Sequence, residues 1–237
     1  MTFFFPSLVR KAAAFMSEHG RGDLVPKLKH AGYPVRPEFR PAPDGSKTPC
    51  SVVSVANWRH VKDPELTADA MSIALENNPD ATYSVIGMES DRVARRIIGN
   101  APSVAGRVQS FEHIDNWKIP EFFASAQVFL QCSYKEGIPS VLSEALCCGC
   151  SLALAPSPAC GAFSDYASNG CGTVAKSRSA HDVADAVSRE FEAWRTGART
   201  PSTLADKWNG TRVSSLCDSL IELVSAAKTG TRPAAVN

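Results

Sequence analysis

The chain predicts an α/β fold: a parallel sheet covered by helices on both faces. Two observations carry this expectation. From residue 51 onward, short β-rich runs alternate with helical stretches of about ten residues, the rhythm of βαβ units. The helical stretches also gather their apolar residues on one face.

The elements follow in order. Leu8–Ser17 and Leu24–His30 read as helical material without a strong strand. Residues 34–49 hold Pro34, Pro37, Pro41, Pro43 and Pro49, so this stretch should be extended, irregular and linker-like. Ser51-Val52-Val53-Ser54-Val55-Ala56 reads as a buried strand. A helix follows, with Asp63 as N-cap, Pro64 at the first helical position, and Leu66, Ala70, Ile73 and Ala74 on one face. Thr82–Ile86 is a second strand closed by Gly87, and Ser90–Ile98 a charged helix. Val104–Val108 is read as the third strand, Ile119–Ala126 as a helix and Val128–Gln131 as the fourth strand. Pro139–Cys148 is helical, Ser151–Ala155 a strand, Phe163–Ala167 a short helix and Cys171–Ala175 the last strand. His181–Trp194 is a helix with Val183, Ala186, Val187 and Phe191 on one face. Thr211–Ala227 is a tail helix, with Leu204–Trp208 placed to anchor it. The expected division is an N-terminal extension and linker over 1–48, the α/β domain over 49–200 and a helical tail over 201–237.

Composition narrows the function classes. The 237 residues are 44% hydrophobic and 21% charged, with formal net charge +1, so nothing global points to nucleic acid or an anionic membrane as partner. No apolar run approaches the roughly 18 residues that cross a bilayer. Phe3, Phe4 and Phe5 are followed by Arg10 and Lys11, the reverse of a signal peptide's charge order, and a cytoplasmic location is expected. The first fifty residues carry an excess of basic residues, read as solvated surface. Five of the eight cysteines lie between Cys132 and Cys160. The pair Cys147 and Cys150 has metal-like spacing, but no second pair accompanies it, and the apolar run Val141–Leu146 precedes it. These cysteines are expected to pack as small buried hydrophobes, with no metal site.

In open parallel sheets ligands bind beyond the carboxyl ends of the strands. The segment Tyr134-Lys135-Glu136-Gly137-Ile138-Pro139-Ser140-Val141-Leu142-Ser143-Glu144 follows a strand and opens a helix. Gly137 permits backbone angles that a side chain forbids. Pro139 suits the beginning of a helix, and the N–H groups of Ile138, Ser140 and Val141 are free to meet an anion, phosphate above all. Glu144 lies roughly 7 Å further along the axis. A phosphate at the tip would thus place a ribose diol beside its carboxylate.

Glu136 to Leu146 resembles the Glu-x7-Glu signature of glycosyltransferase family 4, and Cys148-Gly149 after it is also common there. Ala124–Leu130 resembles the same family's approach to the motif. Val55–Asp63 resembles its first strand and basic loop. The similarity runs over about residues 51–195. It implies the C-terminal, Rossmann-like, nucleotide-sugar-binding half of a GT-B retaining glycosyltransferase, with most of the N-terminal acceptor domain missing. By position, Lys62 would hold the donor diphosphate with help from Arg59, since Asn57 stands where the family's usual arginine falls. Two cations there would stabilise the charge that grows on the leaving group. Glu136 would contact the donor sugar and Glu144 the ribose, with Gly137, Ile138, Pro139 and Ser140 around the phosphates.

The resemblance implies a nucleotide-sugar as substrate rather than a cofactor, and no divalent ion. The acceptor is open: a glycan, a lipid or a small molecule, held by a missing or separate acceptor-domain chain. Two departures stand out. Ala159-Cys160-Gly161-Ala162-Phe163-Ser164-Asp165 replaces the family's Pro-Glu pair, and Ser110-Phe111-Glu112 its glycine after the third strand. Phe111 and His113 are weighed as base contacts, with core packing or exposed loop preferred. Rival readings are a non-catalytic nucleotide-sugar-binding subunit or pseudoenzyme, an epimerase of the same fold, and a dinucleotide-binding domain. The last lacks its Gly-x-Gly-x2-Gly fingerprint, because Val55-Ala56-Asn57-Trp58-Arg59 stands there.

Overall fold

A computed structural model of the chain describes residues 2–3, 6–30, 34–137, 139–158 and 162–208, with Cys217 and Ile221 beyond them. Six parallel strands form the central sheet: β3 (Thr48–Val55), β4 (Thr82–Ile86), β5 (Val108–Phe111), β6 (Ala126–Gln131), β7 (Ser151–Leu154) and β8 (Gly172–Val174). Their spatial order is β5-β4-β3-β6-β7-β8. A separate parallel pair joins β1 (Thr2–Phe3) to β2 (Lys29–His30). The helices are α1 (Pro6–Glu18), α2 (Pro64–Asn77), α3 (Ser90–Asn100), α4 (Ile119–Ser125), α5 (Ser140–Cys147), α6 (Ala162–Ala167), α7 (Ala180–Arg195) and α8 (Pro201–Asp206). The predicted α/β fold with a helix-covered parallel sheet is the observed one.

Alternation along the strands builds two cores. Val52, Val128, Leu130 and Ala153 face α2, α3 and α7, whereas Val53, Phe129, Leu152 and Leu154 face α4, α5 and α6. Each fully buried Leu or Phe contributes about 1.5–3 kcal/mol relative to exposure. The helix α2 starts as its sequence predicts. Asp63 accepts a hydrogen bond from the Leu66 N–H at 3.2 Å, and Pro64 occupies the first turn. Its buried residues are Pro64, Thr67, Ala68, Ala70, Met71, Ser72, Ala74 and Leu75, with Leu66 and Ile73 only partly covered. The buried face is broader than predicted because α2 packs on both α3 and α7. On α7 the predicted face of Val183, Ala186, Val187 and Phe191 is buried throughout.

Several element readings are corrected. The first sheet strand begins at Thr48 rather than Ser51. Pro49 has no N–H for the ladder, so the pairing with β6 shifts register between Thr48 and Val52, and Cys50 takes a φ of 52°. The third strand is not Val104–Val108. Residues Pro102–Arg107 form a 3-10 turn with Val104 buried inside it, and the strand is Val108–Phe111. At the sheet edge, β5 pairs only with β4, and the half-exposed Val-Gln-Ser-Phe carries little apolar signal. Leu24–His30 is not a helix: Pro26 lies within a 3-10 turn, Gly22–Lys27, and Lys29–His30 is a strand. The tail helix read over Thr211–Ala227 lies outside the described residues except Cys217 and Ile221.

The proline-rich stretch has no regular element beyond an isolated bridge at Val35, yet it is packed down. Val35 and Phe39 are buried in the α4/α5 core. Lys47 departs from the expected solvated surface: it is buried, and its ammonium donates to Phe123 O (2.7 Å), Ala124 O (3.3 Å) and Ala126 O (2.7 Å). These carbonyls end α4, where a cation offsets the helix dipole. Cys147, Cys148 and Cys150 are fully buried, and Cys150 Sγ donates to Phe123 O at 3.0 Å. Burial pushes the Cys148 and Cys150 thiols up and Cys132 to about 12, so all three stay protonated packing groups. No described helix is long and apolar enough to cross a membrane.

Candidate functional site

The chain order of the sheet creates a switch point. From β3 the connections run outward through β4 to β5, then return to place β6 on the other side of β3. Loops leaving the carboxyl ends of β3 and β6 therefore diverge and open a crevice. A cleft of about 570 Å³ lies there, lined from the β3 loop (Ala56, Asn57, Lys62), the β4 loop (Gly87, Met88), the β5 loop (Glu112–Asn116) and the β6 loop with α5 (Glu136, Pro139, Ser140, Val141, Glu144).

Close packing fixes each loop. At Gly87, φ is 111° and an added Cβ would lie 1.9 Å from Ala56 O, so the β3 and β4 loops touch backbone to backbone and only glycine fits. Buried Trp58 locks the same junction, its Nε1 donating to Ile86 O at 3.0 Å and its backbone N–H to Met88 O at 3.1 Å. Between the β3 and β6 loops, Tyr134 N–H donates to Val61 O at 2.8 Å. Arg178 ties three loops together. Its guanidinium pairs with the Asp63 carboxylate, donates to Cys132 O (2.7 Å) and Pro156 O (2.8 Å), and lies 5.0 Å from the Tyr134 ring centre.

Lys62 and Glu136, far apart in sequence, meet in this frame. Lys62 Nζ lies 2.6 Å from Glu136 Oε1, with both side chains mostly shielded. Gln131 Nε2 reaches the same oxygen at 2.7 Å. The α5 tip is beside them: Pro139 holds the N-cap position without a side-chain cap, so the Ser140 and Val141 N–H groups have no acceptor within the helix, while Leu142 N–H donates to Pro139 O at 3.0 Å. Glu144, one turn in, is largely buried. Burial raises its pKa above the ordinary 4.5, partly offset by the nearby Arg36 charge. Carboxylates outnumber cations in the lining, with Glu112, Asp115, Glu136 and Glu144 against Lys62. Anion affinity is therefore confined to the corner made by Lys62 and the helix tip.

Of the residues singled out from the sequence, Lys62, Glu136, Pro139, Ser140 and Glu144 come together on the cleft wall. Arg59 is exposed and is not among the lining residues, whereas Asn57 is. The backbone reading of Gly137 is corrected: its φ is not in the left-handed region, and an added Cβ would meet open space. Pro139 precedes the helix rather than starting it. Ile138, and Ala159, Cys160 and Gly161 of the replaced Pro-Glu turn, lie outside the described residues. His113 lines the cleft; Phe111 packs edge-on against Phe122 at 5.0 Å. Sequence reasoning missed Gln131 and Arg178. Gln131 left one signal, a polar residue closing the apolar run Val128–Leu130. Arg178 left none, because its partners are scattered over 115 residues of chain.

The family model described as glycosyl transferases group 1 matches residues 35–199. That finding overturns the attribution to glycosyltransferase family 4. The attribution rested on short blocks around a strand end and a helix start, whereas the match covers the domain. The fold resembles the pneumococcal O-GlcNAc transferase GtfA solved with UDP and GlcNAc: TM-score 0.67, 16% identity, 91% of this chain and 43% of that one. It also resembles Anabaena Alr3699/HepE solved with UDP and glucose, at TM-score 0.67 and 17% identity over 95% of this chain and 62% of that one. The C-terminal domain of LpcC, a glycosyl transferase group 1 family protein from Francisella tularensis, matches at TM-score 0.55 and 16% identity over 71% of this chain and 92% of the domain. The chain thus spans about two fifths to three fifths of the two longer proteins. At such identities the likeness shows the fold: a Rossmann-like parallel-sheet domain like the C-terminal half of a GT-B glycosyltransferase. A search of curated protein sequences found no match.

Proposed function

Because this chain belongs to the glycosyl transferases group 1 family, we propose that its cleft binds a nucleoside diphosphate sugar and serves transfer of the sugar, with retention, to an acceptor held by a separate body across the cleft. The observation that carries the reading is the Lys62–Glu136 contact at 2.6 Å beside the uncapped start of α5. A diphosphate in that corner meets an ammonium and helix-tip N–H groups, both suited to charge that grows as the glycosidic bond breaks. Glu136 then lies against the departing sugar, where a carboxylate stabilises positive charge on the anomeric carbon. Glu144 lies one helix turn away, suited to a ribose diol. Two of the similar structures, GtfA and HepE, were solved with UDP, which supports a nucleoside diphosphate. Arg59, exposed at the β3 loop, is assigned a supporting role toward the phosphates, and Gly137, Ile138, Pro139 and Ser140 their surround. The acceptor (a glycan, a lipid or a small molecule) belongs to the separate body, because an open cleft neither excludes water nor orients a nucleophile.

The test is a thermal-shift panel of UDP-glucose, UDP-N-acetylglucosamine, GDP-mannose and ADP-glucose, each beside its free nucleoside diphosphate. A ligand that binds only the folded state raises the melting temperature. At least one should do so, and Lys62→Ala and Glu144→Ala should each weaken it. Unchanged binding by both variants would overturn the site assignment.

A further inference from the structure

Gln131 ends β6 and is 8% exposed, between the fully buried Leu130 and Cys132. A buried amide is unfavourable in such surroundings unless hydrogen-bonded. Its Nε2 donates to Glu136 Oε1 at 2.7 Å and to Ser133 Oγ at 2.9 Å, while its own Oε1 has no partner. Turning the amide over would set oxygen against carboxylate oxygen, so hydrogen-bond chemistry selects this orientation. A leucine would fill the position without the unmet acceptor. The amide is thus explained by its contact and not by packing.

The two donors have a common target. Lys62 Nζ and Gln131 Nε2, from different strands' ends, both bond Glu136 Oε1. Among the described residues none donates to Glu136 Oε2. One carboxylate oxygen is clamped twice and the other is left for a ligand. We infer that Gln131 is a positioning residue, which fixes the Glu136 carboxylate so that its unbonded oxygen accepts from a hydroxyl of the donor sugar. This rests on the proposed donor role of Glu136, which alone touches the sugar; Gln131 acts through it.

The discriminating measurement compares affinities for a sugar nucleotide and for the free nucleoside diphosphate. Isothermal titration of the full chain would use the four sugar nucleotides named above, each beside its diphosphate. The parent should prefer the sugar nucleotide. Gln131→Leu should lose that preference by roughly tenfold, the scale of a hydrogen bond to a charged group. It should keep the parent's affinity for the free diphosphate and its unliganded melting temperature. Adding Gln131→Leu to Glu136→Ala should cause no further loss, because the two act as one unit. Gln131→Met, similar in length and without donors, repeats the test should the leucine variant not fold. A parent-like preference in the folded variant, an equal loss of both ligands, or additive losses in the double variant would each overturn the assignment to Gln131 alone. A parent that binds no nucleotide, or binds it without regard to the sugar, would overturn the underlying reading of Glu136, and the inference with it.

Discussion

Arg178 holds Asp63 by its side chain while Asp63 holds the start of α2 by its own: the same carboxylate receives the guanidinium and the Leu66 N–H. One ion pair thus joins a helix cap to the loops after β6 and β7, through Cys132 O and Pro156 O. Arg178→Ala should destabilise the chain by about 2 kcal/mol, a moderated value for a partly shielded pair plus carbonyl bonds left unmet. It should also weaken sugar-nucleotide binding, although Arg178 is not among the cleft-lining residues. Urea unfolding and titration of the same variant check both halves.

Gly87 admits no side chain. Its added Cβ would overlap Ala56 O, and its φ of 111° disfavours an L-residue as well. Gly87→Ala should therefore destabilise by about 2 kcal/mol or more, from strain and displaced backbone together. The loss of ligand binding should exceed that of a surface glycine such as Gly106, which has open space. Chemical denaturation of Gly87→Ala beside Gly106→Ala makes the comparison.

Removing the Lys47 ammonium leaves the buried carbonyls at the end of α4 and the start of β6 with a single remaining side-chain donor among the described residues, the weak Cys150 thiol, which reaches Phe123 O and Ala126 O. Lys47→Met preserves the stem and should destabilise by about 2–3 kcal/mol, the scale of unsatisfied buried acceptors. The change should be visible as a lower urea midpoint with the slope unaltered.

Glu144 has a folded-state pKa raised by burial. The folded chain thus holds this proton more tightly than the unfolded chain does. The associated stability is fully present below the ordinary 4.5 and is lost as pH rises through the raised value. At neutral pH the buried charge is a burden, so Glu144→Gln should raise the melting temperature there and flatten its acid-side pH dependence. Ligand binding runs the other way. If the ionised carboxylate receives a ribose diol, affinity in the parent should fall as pH drops through the raised pKa, and the glutamine variant should lose that dependence. Melting and titration series across mildly acidic pH separate the two effects.

Local chemistry explains why much of the fold was readable. The α2 start is written in Asp63-Pro64, since both the cap acceptor and the fixed proline φ act over three residues. Buried strands announce themselves by apolar runs, as in Val52-Val53 and Val128–Leu130. Where signal and structure part, a non-local contact or a missing donor intervenes: Pro49 breaks the ladder ahead of the Ser51 run, and β5 is an edge strand whose half-exposed residues resemble a loop. The family attribution shows the same limit, for a short motif at a helix tip is physics that many phosphate binders share. Only the long match over residues 35–199 distinguished the family.

The sequence by itself determined the alternation of strands and helices, the start of α2 and the order of the acidic and basic residues along the chain, because these depend on neighbours within a few positions. Tertiary structure decided which of those residues meet. Lys62 and Glu136 are brought to 2.6 Å by the reversal of strand order at β3 and β6, Lys47 is drawn from an apparent linker into the core, and Arg178 reaches back to Asp63. Ion pairs and buried hydrogen bonds depend on distance in space, which spacing along a chain does not encode until the sheet has set its order.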